Sequence, residues 1–213
     1  MMFSFDRRTV RCPVCGQETE IRVLRGAYQP APPDLDGDAH DPDLCESVQI
    51  CAHCGYAADS LQAEPPQNAA ALVRSEAYQT VFRDPALSET EKKLRLAALA
   101  DDFAGDEGRA AHHRMMLVWY LRAQNAPKEA VARVLGEAIG RFTAYLEKNA
   151  DPEAACVLID CLRRTGDFAA AEETAVSLAP YVADTPLAAV VALERRLIAA
   201  RDTDAHSLSE VQP

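Results

Sequence analysis

Two short pieces, CPVCG at residues 12–16 and CAHCG at residues 51–55, constrain this chain more than any other feature. A Cys-x-x-Cys turn puts both sulfurs on one side, and a following Gly can take the positive φ that aims backbone N–H groups at sulfur. Two such turns complete a tetrahedron around one ion. Cys12, Cys15, Cys51 and Cys54 are therefore the expected metal ligands, each pair followed by Gly16 or Gly55. The 35 residues between Cys15 and Cys51 exceed the roughly 15 to 20 of compact zinc modules, but loop closure grows costlier only logarithmically with length. Four sulfurs already close the shell, which argues against a catalytic zinc with an open position.

Zn²⁺ is the expected ion, with Fe the alternative, because CPxCG beside CGY resembles the knuckles of rubredoxins. A thioredoxin-like redox turn would need a βαβ context that is missing here. Three other groups could substitute as ligands. His53 lies inside the second turn, where it would crowd its flanking cysteines, so an exposed turn residue is expected; Cys45 reads as a spare thiol, and His40 lies in the intervening loop. The run Asp34, Asp36, Asp38, Asp41 and Asp43 invites a calcium reading. Counting from Asp34, however, puts Ala39 where a calcium loop needs Gly and Cys45 where it needs Glu, so a solvated acidic loop is expected.

The net charge of −11, from 22 Lys plus Arg against 33 Asp plus Glu, disfavours sequence-independent binding to phosphate backbones or anionic lipid. Four thiolates around one Zn²⁺ would add two further negative charges. Nucleic acid is thus an unlikely partner, although Arg7, Arg8, Arg11, Arg22 and Arg25 give the front a local basic excess. The opening MMFSFDRRTVRC lacks the apolar stretch of a secretory signal, and no window reaches the roughly 18 apolar residues of a membrane span. A cytoplasmic location is expected, where the seven cysteines should be thiols or metal ligands.

Texture divides the chain. Around each cysteine pair, β-branched residues such as Thr9, Val10, Ile21 and Val23 suggest short strands entering and leaving a tight turn. Residues 1–62 are expected to form a zinc-ribbon-like four-cysteine module with an exposed acidic loop at 30–46. From 68 to 202 the alanine-rich pattern predicts helices near 69–83, 88–104, 108–125, 128–149, 152–165, 168–179 and 186–201. The fourth is the clearest, with Val131, Val134, Leu135, Ala138, Ile139, Phe142, Tyr145 and Leu146 on one face. Residues 203–213 read as a disordered tail. The fold class is α+β: a small zinc-ribbon-like β module followed by a mostly α domain of helical hairpins.

A weak repeat runs through that domain. LRAQNAPKEA at 121–130 aligns with LRRTGDFAAA at 162–171, and GDF followed by Ala171 resembles the turn of a tetratricopeptide unit. Elsewhere, His112 and His113 are adjacent and cannot share a metal from one helix, so one packed and one exposed ring is expected. Cys156 and Cys161 read as small buried hydrophobes, and Met115, Trp119 and Arg122 as packing.

The order of motifs, from CPVC through the Asp-rich DLD loop to CAHCGYAA and a helix with LVWYLRA, resembles the bacterial family catalogued as domain of unknown function 2225. The resemblance covers residues 10–60 best and 108–145 loosely. It implies a cysteine-rich front and a tetratricopeptide-like rear, and no activity or catalytic residue. The expected function is a structural zinc site joined to a helical adaptor or scaffold that takes a protein or peptide partner. A rubredoxin-like or thiol-based redox or metal-responsive protein is the alternative. No nucleophile elbow, phosphate loop or metalloprotease motif is present, which leans against an enzyme; an enzyme would instead require titratable side chains converging where ribbon meets helices.

Overall fold

A computed structural model describes residues 4–25 and 32–211. These residues form an α+β structure that divides into two compact units. The first spans 1–28 and 41–134, the second 29–40 and 135–213.

In the first unit, β1 (Ser4–Arg11) pairs antiparallel with β2 (Glu18–Arg25), Ser4 opposite Arg25 and Arg11 opposite Glu18. Side chains alternate across a strand, so Val10, Thr19 and Ile21 share a buried face. A 3-10 helix at Pro42–Ser47 leads to β3 (Gln49–Ile50), which pairs antiparallel with β4 (Ala57–Ala58). Four helices follow: α1 (Ala69–Leu72), α2 (Glu76–Arg83), α3 (Glu89–Ala104) and α4 (Glu107–Ala123). Ser88 and Glu91 close a capping box that starts α3. Gly105, at φ 73°, ends it in the left-handed conformation that a residue without Cβ takes freely. Small residues then let α3 and α4 pack as a hairpin, with Ala97, Ala110, Ala111 and Val118 fully buried beside Leu94 and Leu96. Glu46 binds this hairpin to the strands: it accepts from Thr90 Oγ1 and from buried Lys93 Nζ at 3.1 Å, and pairs with Arg22 at 3.4 Å.

Helix α5 (Lys128–Leu146) carries the division between units at Val134. The second unit continues with α6 (Pro152–Thr165), α7 (Phe168–Val182) and α8 (Leu187–Ala200), whose core includes Ile159, Ala171 and Ala175. The aligned turns share one local geometry. Asn125 (φ 52°) and Gly166 (φ 83°) are both left-handed. Ala126 N donates to Leu121 O at 2.9 Å, as Asp167 N donates to Leu162 O at 3.0 Å.

Several expectations need correction. The helix expected at 69–83 breaks at 73–75, where Ser75 turns extended and its side chain accepts from Tyr78 N to start α2 afresh. Helix α7 runs on through Pro180 for two more residues; the ring removes only the one bond that its own N–H would have donated four residues back. The acidic loop at 30–46 is only partly solvated over its described residues, with Pro32, Gly37 and His40 exposed. Asp34, Asp36 and Asp38 are buried, and 42–47 is helical. The reason is charge and local bonding: Arg164 Nη1 donates to Asp36 at 2.9 Å, while Asp36 and Asp38 accept from Asp38 N and His40 N. The tail at 203–213 is ordered through 211, with a 3-10 helix at Leu208–Glu210 closed by a Ser207–Glu210 capping box. Leu35 N donates to His206 O at 2.8 Å and Leu208 N to Pro33 O at 2.9 Å, which joins it to the former loop. Residues 30, 31, 212 and 213 of those two expectations lie outside the described residues.

Candidate metal centre

Each cysteine pair sits at the tip of a hairpin, between β1 and β2 or between β3 and β4. The two tips have the same backbone pattern. Cys12 N donates to Gln17 O at 2.8 Å and Gly16 N to Cys12 O at 3.0 Å; Cys51 N donates to Tyr56 O and Gly55 N to Cys51 O, both at 2.9 Å. Gly16 (φ 74°) and Gly55 (φ 79°) hold the left-handed conformation that closes each turn.

The structure brings Cys12, Cys15, Cys51 and Cys54 together, with all four sulfurs within 4.8 Å of one another. Cys12 Sγ lies 3.7 Å from Cys54 Sγ, and Cys15 Sγ 3.7 Å from Cys51 Sγ. That spacing is far beyond a disulfide bond of about 2.05 Å. It matches the edge of about 3.8 Å in a tetrahedron of sulfurs about 2.3 Å from its centre. Backbone N–H groups also point at the sulfurs: those of Val14 and Cys15 at Cys12, Gln17 at Cys15 and Tyr56 at Cys54. Such donors stabilise thiolate charge. Burial pushes the thiols of Cys12 and Cys54 upward. At Cys15 burial also pushes upward, but the Gln17 N–H and the neighbouring thiols outweigh it and lower the pKa. The donor set suits a four-coordinate thiophilic cation, and the group could bind a metal ion.

Of the substitute ligands, none joins this group. His53 donates from Nε2 to Glu18 O at 2.9 Å, and Cys45 is buried, its thiol donating to Met116 O at 3.4 Å. His40 belongs to the second unit, where its ring lies 3.0 Å from Asp34 Oδ1.

The first unit holds the second turn firmly in place, through residues that sequence reasoning passed over. Ala52 N donates to Thr19 Oγ1 at 3.1 Å, tying the two turns together. Tyr78 on α2 is fully buried; its hydroxyl accepts from Ala57 N at 3.2 Å and donates to Gly55 O at 3.1 Å. The Phe82 ring one turn later packs so closely that a Cβ on Gly55 would lie 2.7 Å from it. Tyr78 and Phe82 sit four residues apart on one helix face, a spacing that could have marked them as a buttress.

Beyond β4, titratable side chains converge. Asp59, Asp101 and Arg109 line a cleft of about 270 Å³ with Tyr56 and Ser60. His113, buried as expected while His112 is exposed, donates from Nδ1 to Asp101 at 2.5 Å and from Nε2 to Asp59 at 2.8 Å. Burial alone would lower its pKa, but the two carboxylates outweigh it and hold it at about 9. Both ring nitrogens are thus engaged and the imidazolium is neutralised in place. This geometry makes a clasp between the strand end and α3–α4, with no ring nitrogen left to act as a base.

No family model, no curated protein and no solved structure matches the chain.

Proposed function

We propose that the protein is a zinc-stabilised interaction scaffold, in which one Zn²⁺ on Cys12, Cys15, Cys51 and Cys54 acts structurally. The observation that carries this reading is the closed shell of four sulfurs, already spaced for a tetrahedral ion and supplied with N–H donors. Metal binding of this kind is folding energy. The helical hairpins would present the surface for a protein or peptide partner. Support comes from the repeated tetratricopeptide-like turn at Asn125 and Gly166, and from a cleft of about 540 Å³ beside Leu146, Leu178 and the exposed Tyr181. The net charge of −11 disfavours nucleic acid as that partner. No helix among the described residues is long and apolar enough to cross a membrane, in keeping with action in the cytoplasm.

A second reading, one-electron transfer through iron, has one observation in its favour: Cys15 is exposed, which would bring a ligand sulfur to the surface. Elemental mass spectrometry of protein purified without added metal, alongside Cys51→Ala, separates the two. One zinc per wild-type chain, lost in the variant together with ordered β3–β4 amide signals, is expected. Iron with a visible absorption band would move the protein to electron transfer, and protein without metal whose Cys12, Cys15, Cys51 and Cys54 thiols react freely would overturn both readings.

A further inference from the structure

A groove runs beside α7 in the second unit. Thr174, Ser177, Leu178 and Tyr181 line it at i, i+3, i+4 and i+7, so they share one helix face over two turns, about 10 Å of axis. Leu146 and Pro152 stand on the opposite wall, and the cleft of about 540 Å³ lies wholly within this unit. That wall is held in place. Asp151 Oδ1 accepts from Ala154 N at 3.0 Å to start α6, Tyr145 Oη donates to Asp151 Oδ2 at 3.2 Å, and Asn149 Nδ2 donates to Tyr145 O at 2.9 Å. Tyr181 leaves 81 % of its surface uncovered, more than any other exposed large hydrophobic side chain among the described residues.

The rim is acidic and poor in cations. Glu147, Glu153, Glu173 and Asp184 each lie within three residues of a lining residue; all four are exposed, and none forms a salt bridge with a described residue. Lys148 is the one Lys, Arg or His between 142 and 162, and residues 165–194 contain none. On the face of α7 toward α8, by contrast, Glu172 is matched by Arg195 at 2.7 Å. Four unmatched carboxylates around an apolar floor make the local potential negative. In a chain of net charge −11 they repel a second copy, an acidic segment or a phosphate backbone. A partner whose apolar face is flanked by cations suits them instead.

We infer that this groove receives a cationic amphipathic helix of a partner protein, with aliphatic side chains at i, i+3, i+4 and i+7 and Lys or Arg on both flanks. The inference deepens the scaffold reading and rests on it. Two turns of stripe on α7 match two turns of stripe on the incoming helix, which is the period that helix-in-groove recognition uses. Strand addition is not open to this unit, because its described elements include no strand whose edge could be extended. Tyr181 supplies the anchor: its ring covers the partner's apolar face while its hydroxyl stays in water. The rim carboxylates then meet the flanking cations and fix which way the helix is rolled.

The test uses the metal-loaded full chain, labelled with ¹⁵N, and two synthetic helical peptides. Both carry leucine at i, i+3, i+4 and i+7; one has lysine on the flanks and the other glutamate. The lysine peptide should move the amide signals of Thr174, Ser177 and Tyr181 saturably and bind about tenfold or more tightly than the glutamate peptide, a preference that shrinks as salt is raised. Tyr181→Ser, at an exposed position, should weaken the lysine peptide about tenfold, and Glu147→Lys combined with Glu173→Lys should remove the preference. Equal binding of the two peptides, still signals at these amides, or shifts spread over the whole surface would overturn the inference. So would a dimer that Tyr181→Ser splits, since the groove would then belong to a second copy. Metal analysis keeps this inference apart from the reading beneath it: one zinc per chain without peptide binding overturns the groove assignment alone, whereas peptide binding by a chain that holds no metal keeps the groove and overturns the zinc-stabilised scaffold.

Discussion

Gly16 and Gly55 occupy equivalent places, yet they should differ in tolerance. Both hold a positive φ, at 74° and 79°, so alanine strains either one. Only at Gly55 would the new methyl also meet a ring, Phe82, while Gly16 faces open space. Gly16→Ala should therefore cost about 1 kcal/mol and Gly55→Ala roughly 2–4 kcal/mol, measured as the shift in urea midpoint of the metal-loaded protein. His113 gives a residue-scale pH effect. Its folded pKa of about 9 lies above the ordinary 6.5, so its stabilising contribution is fully present below pH 6.5 and is lost as pH rises through 9. The contribution is on the order of 3 kcal/mol. Unfolding midpoints recorded from pH 6 to 10 should fall over this window in the wild type, and His113→Gln should flatten that part of the profile.

At the scale of elements, α2 acts as a buttress for the second cysteine turn. Tyr78→Phe removes a hydroxyl that satisfies both Ala57 N–H and Gly55 C=O, leaving two buried backbone groups without it. A loss of roughly 1–3 kcal/mol and weaker metal retention against a competing chelator are expected; unchanged retention would show that α2 packs beside the turn without shaping it. The four clustered cysteines were legible in sequence because Cys-x-x-Cys-Gly is a local signal, and most helices were legible because their caps and apolar stripes are local too. Asp106, Asp151 and Asp167 all cap where a break was expected. What escaped was non-local. Burial of Asp36 depends on Arg164, 128 residues away, and the clasp on His113 needs Asp59, 54 residues before it. A run of aspartates reads as solvated until the arginine that receives it is in view.

For the whole molecule, each unit has its own buried core, and all four clustered cysteines belong to the first. Removing the metal should therefore act on one unit only. With a strong chelator, amide signals of β1–β4 and of Tyr78 should collapse while those of α6–α8 persist. Calorimetry should show one metal-dependent transition beside one that chelation leaves in place. A single transition that moves as a whole would instead mean that the units unfold together.

The segment that contributes Asp36 leaves the first cysteine pair, joins the second unit and returns before the second pair. During synthesis that order imposes a wait. The four sulfurs can meet once Cys54 has emerged, but Arg164 appears 128 residues after Asp36 and Ser207 about 175 residues after Pro32. At about 5–20 residues per second, residues 32–40 spend on the order of ten seconds or more without their eventual partners. Their acidity is useful during that interval, since a nascent stretch dense in aspartate stays hydrated and resists wrong association until the last helices arrive.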